Sequence, residues 1–233
     1  LNGHVEVTYN ANQYNYRYKD GECPITACKV VKGDGTKIGD EIECTGEYFY
    51  VIEIKEDIIS MLAKYNLNVG DNAYPEGKLD VQNENVIGQK QDMVTYGNMA
   101  FSTSNYWIDQ STSTYNSKYT QEESGYYYVY DENSNLYEYV ENYETYLKQN
   151  GVDSAKATLI SRTQLKKLGC TDENGGSCKS SQYSWVYNTS YWSGTTNGFM
   201  WYVHGNGSFL NTSYSSDYAY GVRPVVNISV DEL

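Results

Sequence analysis

From Ser184 to Gly221 the chain carries one formal charge, Asp217, in a window that holds three of its four tryptophans. A segment so cleared of Lys, Arg, Asp and Glu and so rich in rings is no solvated linker, because disordered segments are charged and poor in aromatics. It packs into a core or presents a neutral face to a partner. Within it "YNTSYWSGTTNG", residues 187–198, combines rings with hydroxyls and amides and contains no proline. Tyr, Trp, Ser, Asn and Gly are the residues of antibody paratopes, where rigid amphipathic rings give contact area at small entropic cost and small polar groups adapt to a partner's hydrogen bonds. Stacking rings with amides and hydroxyls also suit sugars. In a β-rich chain tyrosines tile the core and its edges as well, and both uses are expected here.

At 15% aromatic and 20% charged the whole chain has the composition of a folded protein. Its 233 residues suffice for one main domain with an appendage. The net charge of −13 argues against nucleic acid as a partner, since phosphate binding needs clustered Lys and Arg. Anionic membrane surfaces are disfavoured for the same reason. No run of about 18 apolar residues occurs, so this segment is not expected to insert in a membrane. The opening "LNGHVEV" has neither a signal peptide nor an initiator Met, and reads as the start of a processed chain whose targeting or anchoring segment is missing.

Five cysteines stand at 23, 28, 44, 170 and 178. Cys170 and Cys178 bracket the turn-rich "TDENGGS", and a bridge there would stabilise by roughly 2.5 kcal/mol through loop closure. The other three allow one more bridge, with Cys23–Cys28 and Cys28–Cys44 both sterically feasible. Zinc is a poorer reading, because His4 and His204 lie near none of these cysteines in sequence. Disulfides imply an oxidising compartment and hence export.

Residues 1–36 begin with an alternating strand (Val5, Val7, Tyr9) and become polar and Gly-rich, which marks an appendage; the main domain is placed at 37–233. "EYFYVIEI" and "ISMLAKYNL", separated by "KED", predict a hairpin. Residues 71–124 read as long loops with short pieces of structure. "LYEYVENYETYLKQNG" predicts a helix with Leu136, Val140, Tyr143 and Leu147 inward and a stop at Asn150-Gly151. "SRTQLKKLG" predicts a second, with a capping box between Ser161 and Gln164, Leu165 and Leu168 inward, and Gly169 ending it. "KATLI", "YSWVY", "FMWYVHG" and "GVRPVVNIS" are strand candidates. The fold class is α+β, with helices between strands.

Signs of catalysis are thin: there is no G-x-S-x-G, no phosphate loop and no dinucleotide fingerprint. His204, between "WYV" and the turn "GNG", is a candidate ligand contact, though a histidine at a strand end is usually a plain surface residue. The oxygen-rich "DENGGS" and "YDENSN" raise calcium as a minority alternative to having no cofactor; neither has EF-hand spacing. Four N-x-[ST] sequons, at Asn188, Asn206, Asn211 and Asn227, arise readily by chance in so Asn- and Ser-rich a chain.

"LISRTQLKKLGC", "SWVYNTSYWSG", "WYVHGNG" and "YGVRPVVNI", in that order, with the earlier "IGDEIECTGEYFYVI" and "MLAKYNLNVG", resemble bacterial exported proteins that carry a C-type-lectin-like domain of the formylglycine-generating-enzyme type, many of them behind a type IV pilin-like N-terminal helix. The resemblance runs from about Lys37 to the C-terminus. It implies that Trp201 to Val203 and Gly221 to Val226 are scaffold strands. It puts Tyr187, Asn188, Thr195, Thr196, Asn197, His204, Asn206, Asn211 and Tyr214 on a ligand face. Related domains include the variable proteins of diversity-generating retroelements, whose mutagenesis would produce Tyr, Asn and Ser crowding. Two departures bear on activity: the cysteines that the oxidase needs are missing from Lys179 onward, and the Glu-Pro-Asn and Trp-Asn-Asp motifs of calcium-dependent lectins are absent. The expectation is a non-enzymatic, extracellular module of a bacterial surface or pilus-like protein, binding a protein or glycan partner. The alternatives are a structural pilin-like subunit and a divergent enzyme on the same fold.

Overall fold

Ring and β-branched residues in tight alternation favour extended chain, and the charged "KED" between two such runs forces a turn. The computed structural model describes residues 27–67, 119–132, 134, 136–172, 175–212 and 220–233. In it β3 (Glu47–Lys55) and β4 (Ile58–Ala63) form the expected hairpin. Before it come β1 (Cys28–Lys32) and β2 (Glu41–Cys44). After it come β5 (Thr120–Glu123), β6 (Tyr126–Tyr128), helix α1 (Tyr137–Gln149), β7 (Lys156–Leu159) and helix α2 (Arg162–Lys167). The last strands are β8 (Tyr191–Thr196), β9 (Met200–Val203), β10 (Phe209–Thr212) and β11 (Pro224–Ser229). The strand expected at Val5 to Tyr9 and most of the loop region expected over 71–124 lie outside the described residues; the end of the latter forms β5.

Among the described residues the strands make two sheets, in the orders β1-β2-β3-β4-β11-β7 and β10-β9-β8-β6-β5. All pairings within them are antiparallel, and the class is α+β. The last strand, β11, inserts into the first sheet between β4 and the edge strand β7. "GVRPVV" therefore closes the fold from within.

Side chains alternate between two cores, as the period of a strand requires. Trp192, Met200 and Tyr202 join Phe49, Met61 and Val226 in one core. Tyr191, Trp201 and Val203, their immediate neighbours in sequence, join Leu62, Leu165 and Val225 in the other. Strands covered on both faces have no place for a charge. This is the physical origin of the charge-free window, and it makes the middle of that window core. Gly194 belongs to the same logic: a Cβ there would overlap the Tyr128 ring on the adjacent β6.

Both helices form as the sequence predicts. In α1, Val140, Tyr143 and Leu147 are buried with Leu136 before them, and the Tyr143 hydroxyl donates to Glu47 Oε2 at 3.1 Å. In α2 the capping box is complete: Ser161 Oγ accepts from the Gln164 N–H, and Gln164 Oε1 accepts from the Ser161 N–H, each at 3.0 Å. Gly169 then takes φ +95, a left-handed conformation that suits glycine, and the helix stops. "YSWVY" departs from expectation. Ser184–Tyr187 is a 3-10 turn, because side chains rather than a neighbouring strand collect its carbonyls: Arg223 binds those of Trp185 and Val186, and the Tyr191 hydroxyl binds that of Val186.

Cys170 and Cys178 are bonded, as expected, and of the two open alternatives Cys28–Cys44 is the one that forms. The latter joins β1 to β2 directly across their pairing, so residues 28–32 of the segment read as an appendage are the edge of the first sheet. Cys23 lies outside the described residues. Two disulfides fit an oxidising compartment, and among the described residues no helix is long and apolar enough to cross a membrane.

Candidate functional site

Arg223 organises the site. It stands one residue before β11 with no exposed surface, and its guanidinium spreads over main-chain oxygens from two distant segments. Nε donates to Ala63 O at 2.6 Å and Nη2 to Lys64 O at 3.4 Å; Nη1 donates to Trp185 O at 2.8 Å. Nη1 also reaches the side-chain Oδ1 of Asn188 at 3.3 Å. The Tyr191 ring lies 5.0 Å from the guanidinium carbon. Every acceptor is formally neutral, and no carboxylate among the described residues pairs with this cation. Burial pulls the Arg223 pKa down from its usual value and pushes the neighbouring Tyr191 hydroxyl up to about 12.

Pinning residues 185–188 against the end of β4 brings their side chains to the first sheet. Trp185 stacks on Tyr50 of β3 with ring centres 4.5 Å apart and planes 8° from parallel, and Tyr183 packs on it at 5.2 Å. A groove of about 490 Å³ opens beside this stack, lined by Lys32, Glu41, Tyr50, Trp185, Tyr187 and Asn188 together with Gly39, Ser184 and Gly205. Glu41 pairs with Lys64 at 3.7 Å. Lys32 is exposed and pairs with no carboxylate among the described residues. Because the Asn188 oxygen is taken by Arg223, its amide nitrogen is the end left to face solvent. The groove thus offers ring edges, hydroxyls and N–H donors, within the volume range of small-ligand sites.

The residues that the sequence placed on one ligand face separate in space. Tyr187 (half-buried) and Asn188 (exposed) line the groove. His204 and Asn206 lie in the turn next to it: Gly205 N–H donates to Ser190 Oγ at 2.9 Å, His204 Nδ1 accepts from the Asn206 N–H at 3.1 Å, and Asn206 Oδ1 accepts from the Ser208 N–H at 2.9 Å. Thr195 and Thr196 have no exposed surface. Thr195 Oγ1 accepts from the Arg162 N–H and donates to Glu122, while Thr196 Oγ1 donates to Phe199 O. Asn197 sits at the other end of β8, where its Oδ1 accepts from Trp201 Nε1 at 3.2 Å. At about 3.3 Å per residue that end is roughly 15–20 Å from the groove. Asn211 is exposed on β10, opposite Trp201 and toward the same far end. Tyr214 lies outside the described residues.

Tyr50, Trp185, Lys32 and Arg223 were missed as site residues, and Arg223 was read as support alone. The one sequence signal that marks it is a lone charge inside the apolar "GVRPVV", which demands neutral acceptors around it. A second buried arginine, Arg162 on α2, is balanced: it pairs with Glu123 and Asp172 and lies 3.6 Å from the Tyr126 ring centre. Asp172 of the oxygen-rich "DENGGS" is thereby engaged. Among the described residues no three His, Cys, Asp or Glu side chains gather as a metal cage.

Scans of protein families, of curated proteins and of solved structures find no match to this chain. What can be said of its role rests on the groove and on the sequence.

Proposed function

We propose that the chain is an extracellular recognition module of a bacterial surface or pilus-like protein, built on a C-type-lectin-like scaffold of the formylglycine-generating-enzyme type and non-enzymatic. The observation that carries this reading is the groove beside the Tyr50–Trp185 stack. A wall of ring edges and a rim of amide and hydroxyl groups serve to hold a ligand by apolar contact and hydrogen bonds. The two disulfides support export, and the resemblance from "IGDEIECTGEYFYVI" to "YGVRPVVNI" supports the scaffold. Binding would involve Tyr187 and Asn188 with Trp185, and the 204–206 turn as a flank.

The test is a screen of the whole chain against glycan and surface-protein arrays, with calcium and with chelator, beside Trp185→Ala and the double variant Tyr187→Ala/Asn188→Ala. A ligand lost in both variants, with unfolding midpoints within a few degrees of the parent, is the expected result. Blank arrays would move the weight to a structural subunit, a reading favoured by one observation: β1 is a sheet edge and carries Val31 at 48% exposure.

A further inference from the structure

Behind Asn188 of the groove wall lies a buried positive charge that no carboxylate among the described residues pairs with. Arg223 is fully buried and gives its hydrogen bonds to carbonyls and to one amide oxygen, all neutral. A buried cation with dipoles alone for company still projects its field, and low-dielectric surroundings screen that field poorly. Asn188, which accepts a hydrogen bond from the guanidinium, lines the groove and links the two. Lys32 adds a second cation at the rim; among the described residues the one acidic side chain lining the groove is Glu41, which stands opposite Lys32 in the β1–β2 register and pairs with Lys64. In a chain of net charge −13 this is a local reversal of sign.

Asn188 sharpens the point. Its carbonyl oxygen is held by Nη1 of Arg223 at 3.3 Å, so the amide presents two N–H donors outward in a fixed orientation. Donors and positive potential call for an anionic acceptor. Beside them Tyr187 is half-buried, and among the described residues no ring stacks on it. A ring that packs on the second core and stays half-exposed, next to one anion-seeking donor set and with the Ser184 hydroxyl on the same wall, matches the two sides of an acidic pyranose: an apolar C–H face and a ring carboxylate.

Resting on the recognition reading above, we infer that the groove binds a carboxylated sugar, a uronic-acid residue or its like, with the carboxylate at Asn188 Nδ2 and Lys32 and the pyranose against Tyr187. Arg223 acts at one remove, by fixing the amide and supplying the field. A neutral sugar satisfies the ring contact and leaves the charge unanswered.

The decisive probes are a tetra-galacturonate and its methyl ester, which share a skeleton and differ in charge, titrated into the full chain by calorimetry at low and at high salt. The acid is expected to bind about tenfold more tightly than the ester, as one charge-assisted contact warrants, with the difference shrinking at high salt. Asn188→Asp places a carboxylate against Arg223 without changing side-chain shape. It should remove the preference for the acid, and because the new carboxylate pairs with the buried guanidinium, thermal unfolding should stay at or above that of the parent. Equal binding of acid and ester, or a preference that survives in Asn188→Asp, overturns the inference and leaves the recognition reading standing. A tetra-glutamate peptide that binds more tightly than the uronate would assign the groove to an acidic protein segment and defeat the carbohydrate assignment. Failure of both sugar probes defeats it too; the broader reading falls with it if the arrays are also blank.

Discussion

Replacing Arg223 by Met keeps most of the side chain's volume and removes its charge and five hydrogen bonds. Val186 O keeps the Tyr191 hydroxyl as a donor at 2.6 Å, and Asn188 is exposed enough to turn to water. Lys64 O loses a long contact of 3.4 Å. The full loss falls on Ala63 O and Trp185 O, bound at 2.6 and 2.8 Å. Each orphaned carbonyl costs about 1–3 kcal/mol, and the lost contact with the Tyr191 ring adds about 1 kcal/mol. Relief from burying an unpaired cation returns part of this. A net loss of about 3 kcal/mol follows, or about 6–12 °C in unfolding temperature for a chain of this size. Urea titration with disulfides intact, followed by tryptophan fluorescence, measures it. Arg223→Lys, which keeps the charge and loses the planar fork, should fall between parent and Met. A loss below about 1 kcal/mol in Arg223→Met would show that the cation's burial cost cancels its bonds, and the account of why 184–187 turns rather than pairs would fail.

Ser161→Ala removes one half of the α2 capping box and should cost about 1 kcal/mol in the same titration. Cys28→Ser/Cys44→Ser opens a loop whose ends are 16 residues apart; the chain-entropy estimate is about 3 kcal/mol, read as a drop in the urea midpoint. Tyr128 and Tyr191 are held protonated by burial, each with its pKa pushed up to about 12. Their contribution to stability is complete below about pH 10 and lost as pH rises toward 12, so spectrophotometric titration should show a late tyrosine fraction that ionises with unfolding. Glu53 and Glu144 are the acid counterpart: burial raises each pKa, but hydrogen bonds, led by those from Lys167 and Lys148 respectively, bring both below the ordinary carboxylate value. Stability from these pairs should fade as pH drops below about 4.5, and Glu144→Gln should flatten that limb of the profile.

Local rules were enough for much of the fold. The β3–β4 hairpin, both helices with their stops, β7, β9, β11 and the Cys170–Cys178 bridge are each written in a short stretch whose period or spacing is visible. β8 was illegible, because "YWSGTT" has neither the alternation nor the β-branched weight of an ordinary strand; it is one because Tyr128 needs the space at Gly194 and two cores need Tyr191 and Trp192. "YSWVY" misled for the opposite reason. Its composition suits a strand, and a guanidinium 38 residues later along the chain from Trp185 holds it in a turn. The site shows the same limit. Tyr187 and Asn188 are readable as candidates from composition, whereas Tyr50 joins them across more than a hundred residues by a contact that no local pattern records. Thr195 and Thr196 resemble their neighbours in type and differ in lying on a strand that is buried on both faces.

Arg223 grips the wall of the groove by carbonyl groups, which every amino acid possesses. Positions 63, 64, 185 and 186 therefore hold their places whatever side chains they bear, provided the chain path is kept. The rim residues Ser184, Tyr187 and Asn188 hang from a clasp that is blind to their identity, Asn188 alone returning a bond to it. A library randomised at 184 and 187 should remain folded through most of its members, and selection for a new partner could proceed there without first repairing the scaffold. The architecture separates the inheritance of shape from the inheritance of taste.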